Sequence, residues 1–554
     1  MFEKNLAVMS NLTLKRRLER ISPIESRVGV SYCVTPSGDY VLLKNDLPAD
    51  DLNNPREAIK TMLSKTIKNE MKKNDFIIIF GIGLGYILDE VFNRYPSKIY
   101  LYEPDLKLLH FVLSNVDLSE HLASGRVYIT NDIDELIRNL SNSYLTKDKV
   151  EIVYLQNYAV ANNKQLLMLT QKIYDACKSK MVDVNTISLF SKVWMENTIE
   201  NIAAVNNGLA YKLSDLEGHF IGQTALIVAA GPSLNDNIAK IQMNRNKFVI
   251  FAVNKVVKYL LQNCIIPDFV VCLDARNMER TIGGLELSRA NCIMDIRSDK
   301  VLPKLGFNKI FINFADTDFF MKKLAKYNNG IKFYESGGSA STLALMAAVK
   351  LGFSKIVLTG LDLAFKDNVI YSTGETMTRV SQEEIVVDHV KKSLVKVRSV
   401  NDTPVYTRSD YETFIHHFAE LIKELGYTEI YNTTSFGAYI EGVKKASFDE
   451  LNLATNASMA SVATVQPFKF ELQEFMQDEF CNINEIISML SKGVFSTALV
   501  SSIVKSVFIY QYMQTEVLHV LQKDFDPALA QDFIDKTKNA IKKIVESLQK
   551  NKLI

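Results

Sequence analysis

Six apolar, strand-like segments between residues 224 and 431 are each followed directly by residues whose types suit nucleotide binding. In chain order these residues are Gly231, Pro232 and Ser233, then Asn254, then Asp274, then Gly337, Gly338 and Ser339, then Gly360 and Asp362, and finally Asn432. Glycine lets a phosphate approach the backbone closely, and the start of a helix offers unpaired N–H groups. Asparagine supplies the donor and acceptor groups that a cytosine or a ribose needs. Because ligands of open parallel sheets bind beyond the carboxyl ends of the strands, these residues predict one nucleotide-binding crevice.

Each of these residues also has a purely structural interpretation. Ser233 and Ser339 stand where a helix N-cap is expected, and Asp274 and Asp362 are of a type common in solvated turns. The recurrence of such residues at six strand ends favours a binding role over turn chemistry.

A short acidic motif, Asp316-Thr-Asp318, has the form that holds a divalent metal ion with a diphosphate in many nucleotide-sugar transferases. The motif is short and common, so a structural turn is the favoured interpretation. The sequence therefore predicts no metal ligands and leaves metal dependence open.

Strand-like and helical segments alternate through residues 224–431. Strands are predicted at 224–229, 248–253, 268–273, 308–314, 331–335, 355–360 and 428–431. Helices are predicted at 255–263, 340–351 and 410–425. Such alternation is typical of a mostly parallel sheet covered by helices on both faces. The polar stretch 366–408 breaks the rhythm and is predicted to form a lid-like insertion.

A second glycine-rich turn lies nearer the start of the chain. Gly81-Ile-Gly-Leu-Gly85 follows the apolar strand 76–80, and Glu103 ends the next strand, 98–102. This is the pattern by which S-adenosylmethionine methyltransferases and dinucleotide enzymes hold a ribose. The spacing differs from the dinucleotide form, and no methyl-acceptor motif follows. We therefore predict a Rossmann-like accessory domain, with an S-adenosylmethionine-dependent methyltransferase as an alternative function.

The predicted fold class is α/β, with a Rossmann-like N-terminal domain, a central parallel-sheet domain and an all-α C-terminal region. Residues 1–70 are predicted to form an α/β lead-in with a hairpin, and 71–212 the accessory domain with a helical bridge. Residues 213–464 are predicted to form the central domain. Residues 465–554 place their apolar side chains at helical spacing. This fits a bundle packed on the central domain, a docking surface for partner helices, or both.

Composition excludes several classes of function. The 554 residues carry a formal net charge of +1, so the chain lacks the basic field of a nucleic-acid-binding protein. The first residues lack the apolar core of a signal peptide, and no run approaches the roughly 18 apolar residues of a membrane span. None of the 6 cysteines forms a Cys-x-x-Cys pair, which fits neither a disulfide framework nor a thiolate metal site. We therefore predict a cytoplasmic protein without a transmembrane segment.

Four motifs, taken together, resemble the motility accessory factor family. They are Ala229-Ala-Gly-Pro-Ser-Leu234, Ser336-Gly-Gly-Ser-Ala-Ser-Thr342, Leu358-Thr-Gly-Leu-Asp-Leu363, and Tyr431-Asn-Thr-Thr434 with Gly437-Ala-Tyr-Ile-Glu-Gly442. Their order and spacing match over about residues 70–445. The resemblance implies a glycosyltransferase that modifies flagellin with pseudaminic or legionaminic acid and is required for flagellum assembly and motility.

The central domain is also similar to bacterial sialyltransferases that use CMP-sialic acid. The matching residues are Gly231, Pro232 and Ser233 for an Asn-Gly-Pro-Ser loop, Gly337 to Ser339 for a Ser-Gly-containing helix start, Gly360 and Asp362 for a Leu-Ser-Gly-Ile-Asp strand end, and Asn432 for a Pro-Asn-Ser segment. This chain departs from the family pattern at Ala230, where the sialyltransferases have Asn. The nucleotide contact of that Asn is therefore not carried over.

These resemblances imply transfer of a nonulosonic acid from its CMP-activated form to a Ser or Thr hydroxyl of flagellin, with CMP leaving. A base must take the hydroxyl proton, and the leaving phosphate must be stabilised. The sialyltransferases use a histidine downstream of the Asp-containing strand end. Catalytic roles are therefore predicted for Asp362 and His389, ahead of His416 and His417.

Residues 465–554 would then dock flagellin, as partner helices for its own amphipathic helices. Besides the methyltransferase, a pterin pyrophosphokinase is an alternative, because archaeal enzymes of that activity share the Gly-Pro-Ser and Gly-Leu-Asp-like motifs. Those enzymes are much shorter than this chain. A non-enzymatic flagellin chaperone is the third alternative.

Overall fold

The computed structural model describes residues 1–315, 318–335, 337–365, 394–453, 457–493, 495–522 and 527–554. These residues divide into two compact units, Met1–Ile187 (unit 1) and Ser188–Ile554 (unit 2). The boundary lies inside the helix Asn163–Asn206, within the segment predicted to be a helical bridge. The further predicted divisions at residues 70 and 464 stay predictions.

Unit 1 contains a small antiparallel sheet and a parallel sheet. The antiparallel strands are β1 Val30–Val34, β2 Tyr40–Lys44 and β3 Leu47–Pro48. The parallel strands are β4 Phe76–Phe80, β5 Lys98–Tyr102, β6 Val127–Thr130 and β7 Val150–Tyr154, in the order β6-β5-β4-β7. The helices are Phe2–Ala7, Leu12–Leu18, Pro23–Ser26, Pro55–Thr66, Tyr86–Arg94, Leu106–Asn115, Ser119–Ala123, Ile133–Ser143 and Gln156–Ala161.

Unit 2 is built on a nine-stranded sheet in which every pairing is parallel. Its strands are β8 Tyr211–Lys212, β9 Thr224–Val228, β10 Val249–Val253, β11 Phe269–Cys272, β12 Asn291–Asp295, β13 Ile310–Asn313, β14 Lys355–Thr359, β17 Ile430–Asn432 and β18 Lys444–Lys445. The order is β18-β17-β14-β9-β10-β11-β12-β13-β8. A separate antiparallel hairpin consists of β15 Leu394–Arg398 and β16 Pro404–Arg408.

Helices cover this sheet, which explains why its central strands are apolar throughout: parallel strands covered on both faces carry no exposed side chains. The helices are Leu234–Met243, Val257–Gln262, Met278–Ile282, Phe319–Ala325, Ala340–Lys350, Ser409–Leu425, Ala460–Thr464, Gln473–Ser491, Thr497–Lys505, Val507–Tyr512, Gln514–Gln522 and Pro527–Lys550. Short 3-10 helices are Leu213–Leu216, Arg245–Lys247, Asn254–Val256 and Leu302–Lys304. The α/β fold class is thus confirmed.

The C-terminal helices share the hydrophobic core of the nine-stranded sheet. Phe320, on a helix that follows β13, packs edge-on against Phe475 and Phe508 of the C-terminal helices, with ring centres 5.6 and 5.0 Å apart. The fully buried Glu479 accepts a hydrogen bond from Lys323 Nζ at 2.6 Å. These contacts realise the predicted packing of residues 465–554 on the central domain.

The sheet differs from the sequence prediction at several strands, and its two-residue strands β8 and β18 were not predicted. Residues 331–335 do not form a strand, because β8 occupies the edge position beside β13. Tyr334 N instead donates a hydrogen bond to Phe314 O at 2.9 Å. Strand β12 was not predicted, since Asn291 and Asp295 give its ends a polar character. Of the predicted insertion 366–408, the structure describes 394–408, which contain the β15–β16 hairpin; residues 366–393 lie outside the described residues.

Within the described part of the chain, none of the helices combines the length and the apolar character needed to cross a membrane.

Candidate nucleotide-binding site

The nine-stranded sheet has one topological switch point. From β9 the chain adds β10 to β13 on one side, and it then returns to place β14 on the other side of β9. Ligands of open parallel sheets bind at such a point, beyond the carboxyl ends of the strands. The loops that leave β9 and β14 there contain residues 231–233 and 360–362, so the structure brings two predicted groups together.

Asp362 is a buried carboxylate that joins three loops. It is 1% exposed, and its Oδ2 accepts a hydrogen bond from Ser233 N at 2.8 Å. Its Oδ1 accepts hydrogen bonds from Ser233 Oγ and Thr434 Oγ1, each at 2.5 Å. Hydrogen bonds to an ionised acceptor are stronger than neutral ones. Asp362 therefore fixes the loops after β9, β14 and β17 to one another, and the Ser233 side chain makes no capping hydrogen bond.

Gly231 and Gly360 allow these loops to approach each other closely. Gly231 N donates to Gly360 O at 2.7 Å, and a Cβ on Gly231 would lie 2.5 Å from that oxygen and from Asp362 Oδ2. Gly360 has a φ of +65°, and a Cβ there would collide with Ala229 O. The N–H groups of Gly231 and Ser233 are therefore used inside the protein, and the buried Pro232 lies between them.

Asn254 and Asp274 form a second group, at the carboxyl ends of β10 and β11. Asn254 is 4% exposed, and its Nδ2 donates to Asp274 Oδ2 at 2.7 Å. Asp274 is exposed. An oriented carboxylate that is open to solvent can accept hydrogen bonds from ribose hydroxyls.

The helix Ala340–Lys350 begins at the third predicted group. Ser339 caps it, because Ser339 Oγ accepts from Thr342 N at 3.2 Å while Ser339 N donates to Thr342 Oγ1 at 3.2 Å. Gly337 and Gly338 have φ values of +55° and +73°, and a Cβ on Gly338 would meet none of the described residues within 4 Å. Within the described part of the chain, nothing thus blocks the approach of a phosphate to the Gly338 backbone at this helix start.

Asn432 lines a small cavity beside the carboxyl end of β17. The cavity has a volume of about 90 Å³, and Arg398, Tyr439 and Lys445 also line it. The Arg398 guanidinium lies over the Tyr439 ring, 4.3 Å from its centre. Asn432 Oδ1 accepts a hydrogen bond from Thr434 N at 3.1 Å, which links this cavity to the Asp362 cluster.

Asp318, the described half of the acidic motif, has a structural environment. Its Oδ1 accepts from Met321 N at 3.2 Å and caps the helix Phe319–Ala325, and its Oδ2 lies 3.3 Å from Arg297 Nε. Burial raises the pKa of Asp318. Asp316 lies outside the described residues. Among those that are described, no group of three or more His, Cys, Asp and Glu side chains is arranged to hold a metal ion.

No histidine among the described residues is identified as a catalytic base at this site. His389 lies outside the described residues. His416 and His417 are on the helix Ser409–Leu425, where His416 is exposed and His417 is half-buried. The catalytic role of His389 stays a prediction.

In unit 1 the glycine-rich turn is covered by a side chain of the protein itself. A Cβ on Gly81 would collide with the Tyr158 ring. The fully buried Glu103 accepts hydrogen bonds from Ile82 N at 3.0 Å, from Asp105 N at 2.9 Å and from the Tyr158 hydroxyl. Burial raises the pKa of Glu103 to about 7. The carboxylate that a cofactor ribose would need is thus occupied, which argues against the methyltransferase alternative.

Two further features at the carboxyl edge of the sheet were not singled out from the sequence. Thr434 belongs to a quoted motif, but only the strand order shows that its hydroxyl meets Asp362. Arg297 follows β12, and its Nε lies 3.0 Å from Asp295 Oδ1. A correct prediction of β12 would have placed Arg297 beside the other strand-end residues.

Comparison with known proteins gives three similarities. Residues 196–368, about a third of the chain, match a family model described as 6-hydroxymethylpterin diphosphokinase MptE-like. An uncharacterised protein of Treponema pallidum (strain Nichols) is 24% identical over 165 residues, covering 29% of this chain and 77% of that protein. The solved structure of the MAf glycosyltransferase from Magnetospirillum magneticum AMB-1 superposes with a TM-score of 0.67 at 17% identity, covering 99% of this chain and 94% of that one.

At 17% identity, the last similarity shows a shared fold. It extends over both units and the C-terminal helices, because nearly the whole of each chain is covered. The chain therefore has the fold of a motility accessory factor glycosyltransferase, and the segment 196–368, which includes β9 to β14, matches the MptE-like family model.

Proposed function

We propose that this chain is a cytoplasmic glycosyltransferase that moves a nonulosonic acid of the pseudaminic or legionaminic type from its CMP-activated form to Ser or Thr hydroxyls of flagellin. The observation that supports this most is the agreement in fold, over nearly the full length, with a structure titled as a MAf glycosyltransferase. The polar clusters at the carboxyl edge of the nine-stranded sheet supply groups of the kind that a nucleotide sugar needs.

In this proposal, different groups along the carboxyl edge of the sheet bind different parts of the donor. The open backbone at Gly338, at the start of a helix, approaches the phosphate. The exposed Asp274 carboxylate accepts from the ribose, and the cavity at Asn432 offers amide, aromatic and cationic groups to the nucleotide. Asp362 holds the surrounding loops in place and acts as a positioning residue, because its carboxylate is buried and hydrogen-bonded.

The reaction breaks the bond between the sugar carbon and the phosphate oxygen, and CMP leaves with the bonding electrons. The acceptor hydroxyl oxygen forms the new bond to that carbon, and a base takes the hydroxyl proton. Donors directed at the leaving phosphate stabilise its charge. His389 is the proposed base. Flagellin would be held by the helices of residues 465–554.

The proposal is tested by CMP binding to the full-length chain. The sequence has 1 tryptophan, Trp194, which belongs to unit 2, so its fluorescence reports on the unfolding of that unit. CMP should raise the unfolding temperature, since a ligand at 100 times its Kd stabilises the folded state by about 2.7 kcal/mol. S-adenosylmethionine should leave it unchanged.

Two variants make this experiment specific. Asp274→Ala should weaken CMP binding, while Glu286→Gln, which removes an exposed carboxylate that precedes β12 at the opposite edge of the sheet, should not. An unfolding temperature that does not respond to millimolar CMP, with or without Mg²⁺, would count against a CMP-sugar donor.

A second candidate is a pterin diphosphokinase, favoured by the match of residues 196–368 to the MptE-like family model. It predicts transfer of a diphosphate from ATP to 6-hydroxymethylpterin, which chromatography of the pterin product detects. We expect no such product. Its formation at a rate typical of an enzyme would replace the glycosyltransferase proposal.

A further inference from the structure

Arg297 is held in an unusual way at the carboxyl end of β12. Its Nε lies 3.0 Å from Asp295 Oδ1 and 3.3 Å from Asp318 Oδ2, and the two carboxylate side chains are 4% and 2% exposed. The Arg297 side chain is itself 21% exposed. Its terminal Nη1 and Nη2 donate to none of the residues that the structure describes. Among the described residues, the guanidinium is thus anchored through Nε alone.

One face of the helix Asn163–Asn206 supports this arrangement. Asn197 Nδ2 donates to Arg297 O at 3.0 Å, and Asn201 Nδ2 donates to Ile296 O and Ser298 O at 2.8 and 2.9 Å. Both asparagines are buried. These hydrogen bonds fix the backbone of the loop after β12, and they therefore fix the point from which the Arg297 side chain extends.

An aromatic side chain lies beside the same guanidinium. Arg297 Cζ is 5.3 Å from the centre of the Trp194 ring, and Trp194 stacks on Phe190 with ring centres 5.8 Å apart. A planar guanidinium presents a pair of N–H groups that matches the two oxygens of a carboxylate. An aromatic face beside it offers an apolar surface to the carbon skeleton that carries the carboxylate.

The charges around Arg297 favour a ligand with a single negative charge. Burial alone would lower the pKa of Arg297, but Asp295 and Asp318 raise it, so the guanidinium stays charged. Burial raises the pKa of Asp318, although Arg297 opposes this effect. Asp295 repels an added anion, and it repels a phosphate dianion, with two negative charges, more strongly than a carboxylate with one.

The position of Arg297 in the sheet fits a substrate that also occupies the nucleotide site. At the usual strand spacing of about 4.8 Å, the end of β12 lies about 14 Å from the end of β9. A sugar joined to a nucleotide at the switch point extends over a similar distance. We propose that Arg297, anchored by Asp295 and Asp318 beside Trp194, binds the carboxylate of an acidic sugar substrate. This inference rests on the proposed function and deepens it.

The test uses Trp194 fluorescence of the full-length wild-type chain, with N-acetylneuraminic acid and its methyl ester as probes. The acid should shift the Trp194 emission saturably, and the ester, which lacks the negative charge, should bind at least tenfold more weakly. Equal responses to acid and ester, or a response to inorganic phosphate but not to the acid, would overturn the proposal. This arm needs no variant and so does not depend on variant folding.

Variants then assign the effect to one arginine. Arg297→Gln and Arg297→Lys should each weaken binding of the acid at least tenfold, the lysine variant because it keeps the charge but loses the planar pair of donors. Arg289→Gln removes an exposed charge at the opposite end of β12 and should change binding less than twofold. Wild-type affinity in a folded Arg297 variant would refute the assignment.

A CMP titration of the same protein separates this inference from the proposed function. A CMP response without an acid-dependent Trp194 shift means that the Arg297 inference fails while the CMP-sugar proposal stands. A shift with the acid but no CMP response supports Arg297 as a carboxylate site and counts against a CMP-linked donor.

Discussion

Replacement of Asp362 by alanine should destabilise unit 2 and weaken nucleotide binding together. The Asp362 carboxylate accepts hydrogen bonds from Ser233 N, Ser233 Oγ and Thr434 Oγ1 while only 1% exposed. Alanine leaves all of these donors without their acceptor. The loops after β9, β14 and β17 then lose the group that fixes them to one another.

The size of the effect follows from the hydrogen bonds and from burial. A hydrogen bond to a charged group contributes about 1.5–3 kcal/mol, but releasing a buried carboxylate recovers several kcal/mol of desolvation. A buried donor left without its acceptor costs about 1–3 kcal/mol, so three such donors cost about 3–5 kcal/mol in net terms once the recovered desolvation is subtracted. Unit 2 has 367 residues. At about 2.1 cal/mol/K per residue, this cost lowers the unfolding temperature by about 4–6 °C.

The assay is thermal unfolding followed by Trp194 fluorescence, with and without CMP. Thr434→Val removes one of the hydrogen bonds and should lower the unfolding temperature by about 2–4 °C. Asp449→Ala removes an 80% exposed carboxylate paired with Lys240 and should lower it by about 1 °C or less. The reasoning fails if Asp362→Ala unfolds within 1 °C of the wild type, or if Asp449→Ala has an equal effect.

Two further predictions concern the C-terminal helices and unit 1. Phe320→Ala should lower the free energy of unfolding by about 3–5 kcal/mol, because the 1% exposed ring packs on Phe475. Phe319→Ala should lower it by less than about 1 kcal/mol, because that ring is 47% exposed. Equal losses in the two variants, measured by Trp194 fluorescence during unfolding, would contradict a shared core. Glu103 has a pKa raised to about 7, so its contribution to stability is present below pH of about 4.5 and is lost as the pH rises through 7. The measurement is the free energy of opening of the β4 amides, obtained at several pH values from hydrogen exchange corrected for intrinsic rates. Its change with pH should be about 3 kcal/mol smaller in Glu103→Gln than in the wild type. An unchanged pH profile would show that burial does not raise this pKa.

Much of the parallel sheet is predictable from the sequence, because its strands are short apolar runs that end in turn-forming residues. Strands β9, β10 and β14 fall within or overlap the predicted ranges for this reason. Strand β12 was not predicted, because its polar ends interrupt the apolar pattern. Missing that strand also hid Arg297, since a residue is recognised as a strand-end residue only when its strand is recognised.

The partners of the site residues could not be predicted from local pattern. Asp362 and Ser233 are 129 positions apart, and they meet because β14 pairs with β9 in the sheet. The sequence placed both residues at strand ends, but it did not show that the carboxylate would be buried and fully used by neighbouring loops. Strand order, which depends on long-range packing, decides whether such a residue faces a ligand or holds a loop.

The Gly81–Gly85 turn illustrates the same limit in unit 1. Its spacing after β4 is compatible with a bound nucleotide, and Glu103 stands where a ribose would be recognised. Tyr158, 55 positions beyond Glu103, covers the turn and hydrogen-bonds to that carboxylate. Only the packed structure reveals that a protein side chain occupies this space.

The most direct test of the account is the intact mass of flagellin co-expressed with this chain and with a pathway that makes a CMP-activated nonulosonic acid. We predict a mass increase equal to a whole number of nonulosonic acid residues, which is absent without the chain and reduced with Asp362→Ala. Flagellin of unmodified mass, in cells where the chain is folded and the CMP-sugar is detected, would contradict the proposed function.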